Sequence, residues 1–159
     1  MKTNPVCVVI GVGPGNGAAI ARRFSEASYQ VALLSRSTEF TEPLASKLGN
    51  ARAIVCDVAN ASSIEQAFAE VKDHLGDVDV MIYNAGGTAK WATVEDLSPD
   101  DFEASWRVNA LGALLAAQQV IPSMIQEQAG SIVFIGATAS RRGGAKTAGF
   151  APAKAAQRS

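Results

Sequence analysis

The sequence predicts a doubly wound α/β fold, in which helices cover both faces of an open parallel sheet. Along all 159 residues, apolar runs of strand length alternate with segments of helical period. The strand candidates are rich in valine and isoleucine and apolar on both faces, which is typical of strands covered by helices on either side. A glycine-rich turn follows the first strand directly. Right-handed crossovers would connect the parallel neighbours.

Apolar periodicity predicts five strands, at residues 5–11, 30–35, 51–57, 78–83 and 130–136. Helical segments are predicted between them, at residues 17–27, 39–48, 62–75 and 99–128. In the last helix, apolar residues recur at three- and four-residue steps and make one stripe, formed by Phe102, Trp106, Ala110, Leu114, Ala117, Ile121 and Met124.

The final segment, FAPAKAAQRS, is typical of the first turns of another helix. Because the chain ends there, the fifth strand would keep a poorly covered face and an open edge. We therefore expect this chain to be a fragment of a longer protein whose carboxyl-terminal part is missing.

The composition indicates one globular domain over residues 1–159. Apolar residues make up 48% of the chain, and 14 basic residues nearly balance 15 acidic ones, for a net charge of −1. Such a balance produces no field that would attract nucleic acid or an anionic membrane. We therefore expect neither nucleic acid nor a membrane as a partner.

Cysteine and histidine usage predicts no disulfide and no metal site. Cys7 and Cys56 each lie in a short apolar run, where a reduced thiol behaves as a small hydrophobic group. The lone histidine, His74, falls near the end of a predicted helix, where it suits the helix dipole. The apolar stretch at the N-terminus is too short for a signal peptide. These features favour a cytoplasmic protein.

The segment GVGPGNGAAI, after the first strand, is a candidate phosphate-binding loop. Glycine permits a tight turn and lets backbone N–H groups approach a diphosphate at the positive end of the next helix. Two registers fit: Gly13, Gly15 and Ala18 satisfy G-x-G-x-x-A, whereas Gly11, Gly15 and Gly17 satisfy G-x-x-x-G-x-G. The predicted domain is thus Rossmann-like, with three α/β/α layers and a bound dinucleotide. The loop residues predicted to contact the cofactor are Gly11, Gly13, Gly15, Asn16 and Gly17.

Cofactor choice depends on the end of the second strand, where an acidic side chain would hold the ribose hydroxyls of NAD. Here Ser35 occupies that position and Arg36 follows it. A guanidinium beside a small hydroxyl can pair with the 2′-phosphate of NADP. We therefore predict that Ser35 and Arg36 bind NADP, with NAD as the alternative.

From here the sequence resembles the short-chain dehydrogenase/reductase family along essentially its whole length. The glycine loop is similar to that family's TGxxxGxG, with Ile10 in place of the threonine. Asp57 in the CDV segment resembles the aspartate that lies beside the adenine ring, and we predict that Asp57 and the following Val58 bind the cofactor. YNAGG is similar to the family's NNAG, with Tyr83 in place of the first asparagine. VNALG carries Asn109 in the position of the active-site asparagine.

The residues themselves agree with this resemblance. Asn84, Ala85 and Gly86 directly follow the fourth strand, where a ligand at the carboxyl end of the sheet needs a close backbone approach. We predict that they bind the cofactor. Asn109 falls in mid-helix, where asparagine is a poor helix former, so it either has a function or marks a local bend.

The resemblance implies a catalytic tetrad of Asn, Ser, Tyr and Lys. The tyrosine is the general acid/base, the lysine lowers its pKa and holds the nicotinamide ribose, and the serine steadies the substrate oxygen. Lys154 fits the lysine position, but Phe150 replaces the tyrosine and Ala137 replaces the serine. Because phenylalanine cannot exchange a proton, the usual route should lose about 10²–10⁴ in rate.

Other groups could substitute for the missing ones. Thr138 and Ser140 follow Ala137 closely, so that either hydroxyl could orient a carbonyl or pass a proton through water. Lys154 could itself act as an acid if burial lowered its pKa. The predicted catalytic residues are Asn109, Thr138 and Lys154, and Lys154 is also expected to contact the cofactor.

Two functions follow from these observations. The first is an NAD(P)(H)-dependent oxidoreductase that moves a hydride between the nicotinamide and a small-molecule carbonyl or alcohol. The alternative is a catalytically impaired NADP(H)-binding protein that acts as a sensor or partner subunit. Trp91 either lines a substrate pocket or packs as a loop aromatic. The resemblance implies a homodimer or homotetramer for the full-length protein.

Overall fold

The computed structural model describes residues 4–88 and 90–159, and within them it contains a parallel five-stranded sheet in the order β3-β2-β1-β4-β5. The strands are β1 (Val6–Ile10), β2 (Gln30–Ser35), β3 (Ala51–Val55), β4 (Val80–Tyr83) and β5 (Ser131–Phe134). The predicted doubly wound fold is confirmed. The strand order reverses between β1 and β4, which is where open α/β sheets bind ligands.

The helices lie at the predicted places. They are α1 (Asn16–Glu26), α2 (Thr41–Leu48), α3 (Ala61–His74), α4 (Pro99–Trp106), α5 (Gly112–Glu127) and α6 (Phe150–Arg158). One π-helical turn, Arg107–Leu111, joins α4 to α5, and a short 3₁₀ turn, Thr138–Ser140, precedes α6. The helix predicted for residues 99–128 is therefore continuous, but around Asn109 its hydrogen bonds follow the π-helical rather than the α-helical pattern.

The core of the described residues forms two apolar clusters, one on each face of the sheet. Val8 and Ile10 of β1 point to the face that α3 and α5 cover. Cys7 and Val9, their neighbours, point to the face that α1 and α2 cover. Every residue of β1 is buried, because parallel strands with helices on both sides have no face left for water.

The two outer strands do not share this burial. Val55 at the end of β3 is 56% exposed, and Val133 and Phe134 of β5 are 43% and 41% exposed. The expectation of full cover on both faces is thus wrong for β3, which stands at an edge of the sheet. For β5 this outcome matches the poorly covered face expected from the sequence.

The apolar stripe predicted on the long helix is mostly exposed. Phe102, Trp106, Leu114 and Ile121 are large and lie on the outer side. The buried side instead carries small or polar residues: Ser105, Asn109, Gly112, Ala113, Ala116, Ala117 and Val120. Small side chains let the helix backbone approach the sheet closely, so the core-facing side is defined by size rather than by hydrophobicity.

This long helix also has the length and mean hydropathy of a membrane-crossing segment over Pro99–Glu127. A third of its most apolar window is buried inside the structure. The helix contacts α3 and β4, and it forms one of the layers that cover the sheet. A core helix of an α/β domain has the same length and composition, so this feature is weak evidence for a membrane.

Register brings the ends of the central strands level. Ile10, the last residue of β1, pairs with Leu34 of β2 on one side and with Tyr83 of β4 on the other. The segments that follow these strands therefore leave the sheet at a common edge. Among the predicted cofactor residues, Ser35 is the last residue of β2, and the others apart from Lys154 lie in those segments or just after β3.

Candidate active site

Gly11 joins the glycine loop to the loop after β4. Its N–H donates to the carbonyl of Leu34 at 2.8 Å, and its φ of +86° is one that residues with a side chain rarely adopt. A Cβ at this position would lie 2.5 Å from the backbone N and Cα of Ala85. Glycine is therefore required here by both the dihedral angle and the close approach of Ala85.

Gly17 is required by packing at the first turn of α1. A Cβ there would lie 2.8 Å from the Gly11 carbonyl oxygen and 2.8 Å from the Cα of Val12. By contrast, a Cβ on Gly13 or Gly15 would meet nothing within 4 Å. Since Gly11 and Gly17 are the packed positions, the structure favours the G-x-x-x-G-x-G register. Gly13 and Gly15 leave open space on the outer side of the loop.

No side-chain hydrogen bond caps the amino end of α1, although the Ala18 N–H donates to the Gly13 carbonyl at 3.1 Å. Gly15 precedes the helix without a side-chain hydrogen bond, and the first turn contains no acidic residue. In α3 and α4, by comparison, the side chains of Asn60 and Ser98 accept hydrogen bonds from the first turn. The positive end of α1 is thus available to an anion beside the open space at Gly13 and Gly15.

Asn84 holds the two loops together. Its side-chain Nδ2 donates to the carbonyl of Gly11 at 2.8 Å, and its backbone N–H donates to the carbonyl of Ile10 at 2.9 Å. The next two residues, Ala85 and Gly86, run along the same edge of the sheet. Asn84 therefore holds the start of the glycine loop in place through these two hydrogen bonds.

Gly86 lies between two polar side chains of the predicted tetrad. A Cβ on Gly86 would come within 2.9 Å of the Lys154 Nζ and 3.1 Å of the Asn109 Oδ1. The structure thus brings Lys154 and Asn109 together at the loop that follows β4. A side chain at position 86 would displace one of them.

Lys154 is buried, with only 4% of its surface exposed. Its Nζ donates to the carbonyl of Ile135 at 3.0 Å and to Oε1 of Gln157 at 2.8 Å. Both partners are neutral, and burial lowers the pKa of the Lys154 ammonium. The sequence suggested such a shift only as a condition for Lys154 to act as an acid.

Asn109 is fully buried and makes hydrogen bonds with both of its side-chain atoms. Its Nδ2 donates to the carbonyls of Gly87 at 2.6 Å and Ser105 at 2.7 Å, and its Oδ1 accepts from the Gly87 N–H at 3.3 Å. It lies within the π-helical turn, so the local bend is present. π-helical turns often occur at functional sites, and a catalytic role for Asn109 stays a prediction.

Tyr83 is a site residue whose role the sequence did not reveal. Its buried hydroxyl donates to the carbonyl of Val108, inside the π-helical turn. A Cβ on Gly112 would lie 2.6 Å from this hydroxyl and 2.5 Å from the Val58 carbonyl oxygen. Burial raises the pKa of Tyr83, so it stays protonated and donates. In the sequence, the one sign of this role is that Tyr83 stands where the family has an asparagine.

The positions of the missing tetrad members are apolar. Phe150 begins α6, and its ring centroid lies 5.2 Å from that of Trp91. Thr138 is exposed at the start of the 3₁₀ turn. Ser140, at the end of that turn, lines a cavity of about 260 Å³ together with Lys154. The structure therefore brings the Ser140 side of the turn, rather than the predicted Thr138, to Lys154.

The predicted ribose and adenine positions lie at the ends of β2 and β3. The Ser35 hydroxyl donates to the carbonyl of Ser37 at 2.7 Å, and Arg36 beside it is exposed. Asp57 is exposed, and its Oδ1 accepts from the Ala59 N–H at 3.0 Å. Val58 is buried. The guanidinium of Arg36 makes no ion pair among the described residues, so it is available to a ligand.

Both cysteines are buried free thiols. Burial raises the pKa of Cys7 to about 12 and, with a smaller contribution from the charge of Asp57, the pKa of Cys56 to about 11. They lie in the two apolar clusters and do not face the cofactor edge. No grouping of His, Cys, Asp or Glu suited to a metal ion occurs within residues 4–88 and 90–159.

Comparison with known proteins finds similar reductases and dehydrogenases over most of this chain. The chain is 31% identical to carbonyl reductase family member 4 of Xenopus laevis over 138 residues, which is 87% of this chain and 58% of that protein. It is 32% identical to human (Homo sapiens) 3-oxoacyl-[acyl-carrier-protein] reductase over 139 residues, again 87% and 58%. The chain thus spans less than two thirds of the length of these relatives.

A solved structure with a similar fold is a gluconate 5-dehydrogenase from Burkholderia cenocepacia J2315, in complex with NADP and tartrate. It superposes with a TM-score of 0.88 at 30% sequence identity, over 97% of this chain and 62% of that one. The family described as short chain dehydrogenase matches residues 5–159. The chain therefore belongs to the short-chain dehydrogenase family.

Proposed function

We propose that this chain is the cofactor-binding part of an NADP(H)-dependent oxidoreductase that acts on a small-molecule carbonyl or alcohol. One observation carries the proposal. The open side of the glycine loop, the uncapped end of α1 and the Lys154–Asn109 pair all lie along one edge of the sheet. That edge contains the point where strand order reverses, which is where α/β folds bind dinucleotides.

The residues present fit a dinucleotide. Gly13 and Gly15 leave space for a diphosphate against backbone N–H groups at the positive end of α1. The exposed Arg36 could pair with a 2′-phosphate, and Ser35 beside it leaves room for one. The NADP bound to the similar gluconate 5-dehydrogenase supports this choice. Lys154 is the candidate to hold the nicotinamide ribose.

Lys154 is also the proposed proton donor. When bound, NADPH supplies a hydride to the carbonyl carbon, and a proton must then reach the carbonyl oxygen. Phe150 cannot deliver that proton. The buried Lys154 ammonium, whose pKa is lowered, gives up a proton more readily than an exposed lysine does. Ser140, which lines the same cavity as Lys154, could relay the proton through water.

A second candidate function is NADP(H) binding without turnover, as a sensor or partner subunit. The observation that favours it is the pair of apolar replacements, Phe150 and Ala137, in a chain whose glycine loop keeps open space at Gly13 and Gly15. Loss of a positioned general acid costs about 10²–10⁴ in rate. In either case the cytosol is the proposed compartment, and a homodimer or homotetramer is the proposed assembly of the full-length protein.

The test separates binding from chemistry. Calorimetric titration with NADPH and NADH should show saturable binding that is tighter for NADPH, and Arg36→Ala should weaken only the NADPH affinity. NADPH oxidation with a panel of carbonyl compounds, lost in Lys154→Ala, would support the oxidoreductase. Binding without any oxidation would support the second function. Absence of binding of either nucleotide by the folded chain would refute both.

A further inference from the structure

Two aromatic rings pack against each other at the start of α6, the helix that carries Lys154. The ring centroids of Trp91 and Phe150 are 5.2 Å apart, and the ring planes meet at 57°. Phe150 lies one helical turn before Lys154, so the two side chains share a face of α6. Trp91 is 60% exposed, and it presents a large apolar surface next to that face. We call these two side chains the aromatic pair.

The backbone fixes Trp91 in this position. The next residue, Ala92, is buried and pairs with Thr147 in an isolated parallel bridge. Thr147 in turn accepts a backbone hydrogen bond from Ala151 at 2.8 Å, in the first turn of α6. The segment that carries Trp91 is therefore tied to the segment that leads into Phe150. The indole of Trp91 is therefore exposed although the backbone that carries it is held in place.

The aromatic pair itself carries no hydroxyl group. Phe150 and Ala137 bring no hydroxyl group to the positions where the family has two. A polyhydroxylated substrate would lose hydrogen bonds to water there without regaining them, which is unfavourable for each group left unpaired. A flat aromatic group would instead gain contact with the faces and edges of the two rings.

We infer that the substrate of this site carries an aromatic ring, which packs on Trp91 and Phe150 while its carbonyl group points toward Lys154. This inference rests on the proposed function, because it specifies the substrate class of the same site. It assigns Trp91 as a specificity-determining residue. Sugars and other polyols are then poor substrates.

The test compares two aldehydes of opposite character, 2-naphthaldehyde and glyceraldehyde. Their dissociation constants are measured by ligand-observed NMR titration in saturating NADP⁺, with which an aldehyde cannot accept a hydride. The expected result is that 2-naphthaldehyde binds roughly tenfold more tightly, the effect of two aromatic contacts. Equal affinities, or tighter binding of glyceraldehyde, would overturn the inference.

Variants then assign the effect to the aromatic pair. Trp91→Ala should weaken 2-naphthaldehyde binding about three- to tenfold, and Trp91→Tyr should restore most of the affinity. The matched control is Trp106→Ala, which removes the other tryptophan, on the outer side of α4, and should change nothing. Unchanged affinity in Trp91→Ala would overturn the inference.

The affinity for NADP⁺ shows whether a negative result contradicts only the substrate class or the proposed function as well. NADP⁺ should bind the Trp91 variants as tightly as the parent chain, which also shows that they are folded. If NADP⁺ binds but the aldehydes are not discriminated, only the substrate class is wrong. If NADP⁺ does not bind to the parent chain, the proposed function is wrong and this inference falls with it.

Discussion

The glycine loop and the reacting end occupy the same edge of the sheet but are held in different ways. At the glycine loop, backbone meets backbone: Gly11 touches Ala85, and Gly17 touches Val12. At the reacting end, side chains meet side chains, as Trp91 meets Phe150. A backbone contact leaves no room for a different residue, whereas a phenylalanine can fill the ring-shaped space of a tyrosine. The comparison teaches that steric contacts restrict substitutions in the glycine loop, while the positions of the catalytic groups near Lys154 accept other residues.

The largest effect should come from breaking the backbone contact. Gly11→Val would place a Cβ 2.5 Å from the Ala85 backbone in a residue with φ +86°. Neither of the two backbone segments can move away easily. We therefore expect a loss of at least about 4 kcal/mol in the free energy of unfolding and no NADPH binding. Urea unfolding and calorimetry would measure this.

The matched control for Gly11→Val is Gly15→Ala, since a Cβ on Gly15 meets nothing within 4 Å. We expect its free energy of unfolding to stay within about 1 kcal/mol of the parent value. Equal stability of Gly11→Val and Gly15→Ala would contradict the steric argument.

The next largest effect should come from restoring the missing groups. Phe150→Tyr combined with Ala137→Ser returns a phenol and a hydroxyl to the Lys154 side of the site. If the cofactor edge is intact, the rate of NADPH oxidation with a carbonyl compound should rise by about 10²-fold or more. Stopped-flow absorbance would measure the rate. Phe150→Leu, which adds no proton donor, is the control, and an equal rise in that variant would count against the idea.

A smaller effect is expected at the junction of the two regions. Tyr83→Phe removes the hydroxyl that donates to the Val108 carbonyl in the π-helical turn. Because the substitution removes one buried hydrogen bond, we expect a loss of about 0.5–1.5 kcal/mol in the free energy of unfolding. Urea unfolding would measure it. Tyr29→Phe, at a ring that packs edge-to-face on Phe24, is the control and should be nearly neutral.

The smallest effect concerns pH. Burial lowers the pKa of Lys154 below its ordinary value of 10.5, so the folded chain loses this proton at a lower pH than the unfolded chain. Between the lowered pKa and 10.5 the unfolded state binds more protons, and the stability contributed by Lys154 rises with pH. The free energy of unfolding of the parent minus that of Lys154→Met should therefore increase through this window. A flat or falling difference would contradict the burial of a charged lysine.

The sequence predicted most of the fold because the central strands are dictated by local patterns. The all-apolar run of β1 and the glycines that follow it permit few other structures. The apolar stripe of the long helix does not mark its buried side, because hydrophobic periodicity ignores the size of the side chains. In that helix the alanines and Gly112, rather than Phe102 or Leu114, allow the close approach to the sheet.

The candidate site could be predicted only in part. The identities of Lys154 and Asn109 were readable from the resemblance. Their meeting on either side of Gly86 depends on how α6 and the π-helical turn pack, which no local pattern encodes. The hydrogen bond of Tyr83 to Val108 joins residues 25 apart and was invisible for the same reason.

The burial of Cys7 and Cys56 has a practical consequence. Thiol reagents attack the thiolate, and both groups are covered and held in the protonated form, so alkylation must wait until the chain opens. Cys7 lies within the central strand, whereas Cys56 lies just past an edge strand. The alkylation rate of Cys7 should therefore report opening of the centre of the sheet, and that of Cys56 opening of the segment after the edge strand β3, without any introduced label.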